Sequence, residues 1–160
     1  LADKLLNTRN NTTAAMQFGI DNEPAAAELY AKTFGYNVHR VGLVINPSCF
    51  FLGCSPDRRV YEPDSNLENW GLLEIKCTVA KSVTMCDYLK SKDGQKLKKT
   101  HAHYYQVMGQ MGLTGSKWCD FFVYAVEDFH AERILFDRDF FDDMMKRLVA
   151  FFFSCYIRKL

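Results

Sequence analysis

Apolar and polar positions change their spacing several times along the chain, and each change marks an element. From about Thr13 to Phe34 the pattern is mostly helical. Ala25-Ala26-Ala27-Glu28-Leu29-Tyr30-Ala31 has strong helix composition, and Gly35 supplies a stop. Pro24 leaves two versions open: a helix starting near Asn22 with Pro in its first turn, or a longer helix kinked at Pro24. Val38 to Ile45 reads as a strand, Asn46-Pro47-Ser48 as a turn, and Cys49 to Gly53 as the returning strand. That hairpin ends in Ser55-Pro56-Asp57-Arg58-Arg59, and a turn-rich loop runs through Glu62-Pro63-Asp64-Ser65-Asn66. Trp70 to Cys77 is short, apolar and β-compatible, which predicts a buried strand.

Residues 81–100 form a polar connection, and His101 to Leu113 reads as a helix. On that helix His103, Gln106 and Gln110 share one polar face, with Val107, Met108 and Met111 to the other side. Trp118 to Val126 is apolar on both faces, a core strand, and His130 to Phe136 is a further strand at an edge. Asp137 or Asp139 caps a final helix to about Arg158, with Phe140, Phe141, Met144, Leu148 and Phe152 as its apolar stripe. The order is helix, hairpin, strand, helix, strand, strand, helix. It predicts an α/β (α+β) core, a central mixed β-sheet flanked by helices. There is no internal repeat and no domain boundary, so 1–160 reads as a single domain.

Composition narrows the classes. The chain has 160 residues, 48% of them apolar, enough for one core and too many for a disordered chain. Its formal net charge of +1 excludes a global basic field, so any nucleic-acid footprint must be a local patch. The six cysteines show no C-x-x-C pair and no zinc-ligand spacing. They read as reduced thiols of an intracellular protein, in nucleus or cytoplasm alike. The longest apolar stretch, Leu148 to Ile157, is about half of a membrane span. The chain opens at Leu1 without Met or a signal peptide, which suggests an excised piece.

The candidate chemistry lies on the Trp70–Cys77 strand. Side chains alternate, so Glu74 and Lys76 share one face, about 6.5–7 Å apart at Cα. Taken alone, this is an ion pair on a solvated sheet face. Asp57, however, follows a Pro at the end of a strand, 17 residues before Glu74. Adjacent strands bring two such carboxylates within reach, and like charges that close need a cation between them or a proton on one. Mg²⁺ or Mn²⁺ suits hard oxygen ligands, and Glu23 at the Pro24 junction is a third acid. Lys76 can then position or deprotonate a water or stabilise charge on a phosphate, and Gln106 can orient that water. These parts match metal-assisted phosphodiester hydrolysis. Lys90, Lys92, Lys96, Lys98 and Lys99 cluster around Asp93-Gly94, either as a solvated loop or as contacts to a phosphate backbone. His39, His101, His103 and His130 read as structural or surface residues, and Trp70 and Trp118 as core.

Ser55-Pro56-Asp57 followed by Leu73-Glu74-Ile75-Lys76 resembles the pattern of the PD-(D/E)xK nuclease superfamily. Gly19-Ile20-Asp21-Asn22-Glu23-Pro24, Phe51 to Asp57, Gly71 to Cys77 and His103 to Gln110 stand in the order seen in the YqaJ-like viral recombinase family, the branch of phage lambda exonuclease. The resemblance covers roughly residues 12–126 and implies a restriction-endonuclease-like core. It implies Asp57 and Glu74 as metal-binding carboxylates, with the Ile75 carbonyl as a further ligand and Glu23 completing the site. It implies Lys76 as the catalytic lysine and Gln106 beside the attacking water. It further implies a Mg²⁺-dependent exonuclease degrading one strand of duplex DNA 5′→3′, often as a homo-trimer, alongside a single-strand annealing protein. The chain departs from the pattern in four places. Arg58 stands where the family usually has Gly, either crowding the metal site or contacting a phosphate, and it joins the five lysines as a DNA-binding candidate. Thr78 replaces the usual Pro, and Met108 replaces the second Gln of Gln-x-Gln. The upstream motif and the 5′-phosphate arginine are not identifiable. Two alternatives are a catalytically degenerate DNA-binding module of the same fold and an endonuclease of the same superfamily.

Overall fold

Helix α1, Ala14–Phe34, begins where Thr13 Oγ1 accepts a hydrogen bond from the Met16 N–H at 3.2 Å and ends at Gly35, whose φ of 71° suits a residue without Cβ. A computed structural model describes residues 12–91 and 94–159 of the chain. The long-helix version is the one adopted, with Pro24 inside α1.

The main sheet has five strands. Strand β1 is Asn37–Arg40, β4 is Arg58–Tyr61, β5 is Trp70–Cys77, β8 is Trp118–Tyr124 and β9 is Phe129–Leu135, in the order β1-β4-β5-β8-β9. Only β5 and β8 run parallel; the other pairs are antiparallel. A parallel pair needs a crossover, and helix α2, Ala102–Thr114, lies within it. Its N-cap is His101, whose Nδ1 accepts from the His103 N–H at 3.2 Å, and Gly115 (φ 79°) ends it. β8 is the fully interior strand the sequence predicts, and β9 is the predicted edge. Helix α3, Arg138–Phe151, starts at Asp137, so that acid rather than Asp139 is the cap.

Two cores form, one on each sheet face. Ala26, Ala27 and Tyr30 of α1 pack on Val60, Leu73, Ile75, Trp118 and Phe122. On the other face, Val107, Met108 and Met111 of α2 and Phe141 and Met144 of α3 cover Leu72, Cys119, Phe121 and Val123. A buried polar network ties α1 to the sheet. Asp120 accepts from the Tyr30 hydroxyl and from two Arg133 nitrogens at 2.8 and 2.9 Å. Arg133 also bonds Glu62 at 2.6 Å, which accepts from Tyr36 at 2.6 Å. Each buried charge is thereby paired.

Several expected boundaries are corrected. The Val38–Ile45 strand breaks at Val41-Gly42-Leu43, and only its first half joins the main sheet. Its second half, β2 (Val44–Ile45), pairs with β3 (Gly53–Cys54) in a separate small ribbon. The turn expected at Asn46-Pro47-Ser48 is a 3-10 turn at Pro47–Cys49, and the returning strand expected over Cys49 to Gly53 shortens to Gly53–Cys54. Arg58 and Arg59, expected in a loop, open β4; their charges hid a strand lying between β1 and β5. The 81–100 connection holds two 3-10 turns and the ribbon β6 (Lys90–Ser91) with β7 (Gly94–Gln95). The last helix leaves α geometry at Phe152, where the Phe51 ring stacks on Phe152 at 4.0 Å. Trp118 is core as expected, whereas Trp70 is 37% exposed with the Arg59 guanidinium 4.3 Å over its ring.

Glycines on α2 set its distance from α3. A Cβ at Gly112 would overlap the Phe141 ring, while one at Gly109 would meet only the Met144 methyl at 3.5 Å. Gly112→Ala is expected to destabilise the fold by about 1–3 kcal/mol through overpacking. Gly109→Ala is expected to be neutral or to stabilise by up to about 1 kcal/mol through helix propensity. Urea denaturation of the two variants checks the contrast.

Candidate active site

The register of β4 on β5 builds the site. Arg58 pairs with Leu73, so one further step sets Asp57 opposite Glu74. β4 ends there, which leaves the next N–H of β5 without a strand partner. Asp57 fills the gap: its Oδ2 accepts from the Ile75 N–H at 2.7 Å. In an extended strand the N–H and C=O of one residue lie on the same edge, so the Ile75 carbonyl faces the Asp57 side too.

Glu74 is 1% exposed, and side chains from two elements hold it. Its Oε1 accepts from Lys76 Nζ at 2.5 Å and from Gln106 Nε2 at 2.7 Å. Its Oε2 accepts from Gln110 Nε2 at 2.7 Å. Lys76 Nζ also donates to Gln106 Oε1 at 3.1 Å, which closes a triangle of Glu74, Lys76 and Gln106. Helical spacing explains why α2 serves twice: residues four apart point the same way. Gln110 was legible only as a member of the polar face; its grip on Glu74 emerges from the fold. The Gln110 Oε1 is buried without a partner among the described residues.

Burial, and next the charge of Glu74, push the Asp57 carboxyl up to about 7, against the hydrogen bond from Ile75. A carboxyl raised by burial and by a second carboxylate across from it fits a divalent cation. Among the described residues no three His, Cys, Asp or Glu side chains form a metal cage. The acidic oxygens that stand across from each other there are those of Asp57 and Glu74, with the Ile75 carbonyl on the same edge. Glu23, on α1, faces Arg58: Arg58 Nη1 donates to Glu23 Oε1 at 2.7 Å and to the Asp57 carbonyl at 2.6 Å. His103, one turn before Gln106, stands near Lys76, and burial and then the Lys76 charge hold its imidazole down to about 4.

The basic candidates lie elsewhere in the 81–100 connection. Lys90 bonds Asp87 at 2.8 Å, and Lys99 approaches Asp137 at 3.7 Å and stands over the Tyr104 ring. Lys96 is exposed and Lys98 half-buried, while Lys92 lies outside the described residues.

The five-stranded mixed sheet with helices on both faces, carrying a carboxylate pair, lysine and glutamine at the end of β4, is a restriction-endonuclease-like fold. The chain belongs to the YqaJ-like viral recombinase domain family, whose model matches residues 2–117. The chain is similar to LHK-Exo solved in complex with dAMP, at 29% identity and a TM-score of 0.71 over 98% of this chain and 75% of that one. A second structure, of the alkaline exonuclease LHK-Exo from Laribacter hongkongensis, matches at 28% identity and a TM-score of 0.69, over 94% and 73%. A phage-related exonuclease from Haemophilus somnus 129PT shares the fold at 17% identity and a TM-score of 0.69, over 93% and 74%. No curated protein sequence matches the chain.

The raised Asp57 carboxyl has a thermodynamic signature in metal-free protein. Its folded pKa lies above the unfolded value of about 3.9, so its contribution is fully present below that pH and is lost as pH rises through about 7. Asp57→Asn retains an acceptor for the Ile75 N–H and removes the charge. In chelator the variant is expected to be more stable than the unmodified chain at pH 8, on the order of 2 kcal/mol, and no more stable at pH 4. Denaturation at the two pH values measures the difference.

Proposed function

We propose that the chain is a divalent-metal-dependent DNA exonuclease that hydrolyses phosphodiester bonds at the ends of duplex DNA, in the 5′→3′ direction. The observation that carries this reading is the buried Glu74 carboxylate, set across from Asp57 and bonded to Lys76, Gln106 and Gln110. Membership of the YqaJ-like family and the likeness to LHK-Exo support the choice of DNA and of end-directed cleavage. The LHK-Exo structure is described in complex with dAMP, a deoxynucleoside monophosphate.

Asp57, Glu74 and the Ile75 carbonyl would hold Mg²⁺ or Mn²⁺, whose role is to polarise the scissile phosphate and make a bound water acidic. Lys76 has a distinct part. Its side chain is only 24% exposed and its ammonium is fixed by Glu74 and Gln106, so it meets a phosphate or water with little rearrangement. The Lys76–Gln106 bond orients the Gln106 amide, which positions the attacking water. Gln110 acts through Glu74, keeping that carboxylate aimed while the substrate changes. Lys90, Lys92, Lys96, Lys98 and Lys99 are the candidates for phosphate-backbone contact, a sequence-independent term that weakens with salt, whereas Arg58 is turned to Glu23. Among the described residues no helix is long and apolar enough to cross a membrane.

The chain is incubated with linear and closed circular duplex DNA, in Mg²⁺ or in chelator, beside Glu74→Ala and Lys76→Ala. Linear DNA alone should shorten, only with metal, and Lys76→Ala should lower the rate by about 100-fold or more. Faster loss of strands with a 5′-phosphate than with a 5′-hydroxyl would support the stated direction. Nicking of the circle would replace the exonuclease with an endonuclease, and DNA binding without cleavage would replace it with a binding module.

A further inference from the structure

Three acids surround the end of β4: Asp57, Glu74 and Glu23. Two fixed cations answer them, Lys76 on Glu74 at 2.5 Å and Arg58 on Glu23 at 2.7 Å. Arg58 is not a loose surface arginine. Its side chain is 12% exposed, its backbone is held between β1 and β5 through Arg40 and Leu73, and its Nη1 is anchored at Glu23 and at the Asp57 carbonyl.

We propose that Arg58 is a built-in cation that occupies Glu23 in place of a second divalent ion, so that the site binds one metal ion rather than two. The proposal rests on the metal-dependent reading above. General chemistry supports it. Two-ion phosphodiester sites hold their ions about 3.5–4 Å apart, and a second ion needs acidic oxygen beyond what the first one takes, even where one carboxylate bridges both. Here an ion on Asp57 and Glu74 leaves Glu23 as the further acid, and Glu23 already carries a guanidinium. A second ion would have to displace a planar, strongly bonded group from an anchored position. It would also leave the site strongly positive, since three carboxylates already face two cations and one divalent ion. Arg58 thus supplies positive charge beside Asp57 that needs no exchange with solvent. It is a positioning residue, acting on the metal centre through Glu23.

The full chain, without DNA, is titrated with Mn²⁺ and the free ion is read by electron paramagnetic resonance. Arg58→Ala, Arg58→Lys and Glu23→Gln are titrated in parallel. One tight ion is expected for the unmodified chain and for Arg58→Lys, and two for Arg58→Ala. Two ions in the unmodified chain, or one in Arg58→Ala, would overturn the proposal while leaving metal-dependent DNA cleavage intact. No ion together with no cleavage would overturn both readings. Should Arg58→Ala fail to fold, Glu23→Gln decides. A loss of Mn²⁺ affinity below about tenfold, the effect of one nearby charge, agrees with the proposal; a larger loss makes Glu23 a direct ligand and ends it.

Discussion

A carboxylate removed from water must be given partners by the fold, and Glu74 is such a carboxylate. At 1% exposure its charge would cost several kcal/mol without them. The neighbouring elements meet that requirement in turn. β5 contributes Lys76 two residues on, and α2 contributes Gln106 and Gln110 one turn apart. The helix is there because β5 and β8 run parallel and the chain must cross over between them. Asp57 arrives because β4 stops one residue short of Glu74. The demand of one buried charge and the topology of the sheet point to the same place.

The opposite face of the sheet solves a similar problem with a different outcome. Asp120 is 6% exposed and is fully answered by Arg133 and Tyr30, with Glu62 and Tyr36 closing the network. Its charge is matched by an arginine, which it shares with Glu62. Glu74 has Asp57 across from it, and burial and then the Glu74 charge hold the Asp57 carboxyl up. Buried acids of both kinds occur in one sheet. What sets the two apart is the place of the second acid: Asp57 stands directly across the sheet from Glu74, whereas Glu62 reaches Asp120 only through the arginine they share.

Much of this was readable from residue patterns, and the failures have physical causes. α1, α2, β5, β8 and β9 follow spacing or composition closely, because a single face or both faces of each are apolar. β4 did not, since Arg58-Arg59-Val60-Tyr61 shows one buried residue among polar neighbours. A charged strand between two others looks like a loop until its neighbours are known. The candidate group of Glu74, Lys76 and Gln106 was legible because spacing along one strand and one helix fixes which side chains share a face, and Asp57 because a strand ends beside it. Gln110's hold on Glu74 and Arg58's on Glu23 were not. Both cross between elements far apart in sequence, and only the packing of those elements sets such contacts.

The Arg58–Glu23 pair has a consequence for descent. It joins the first helix to the strand beside Asp57, with the arginine largely out of water. Losing Glu23 strands the Arg58 charge in a place that solvates it poorly, while Glu23 alone keeps contact with water, so the two positions are coupled chiefly through the arginine. A lineage that replaced one would be pressed to replace the other, or to admit an ion where the missing partner stood. Covariation between these two positions, 35 residues apart in the chain, is the trace such coupling leaves among related sequences.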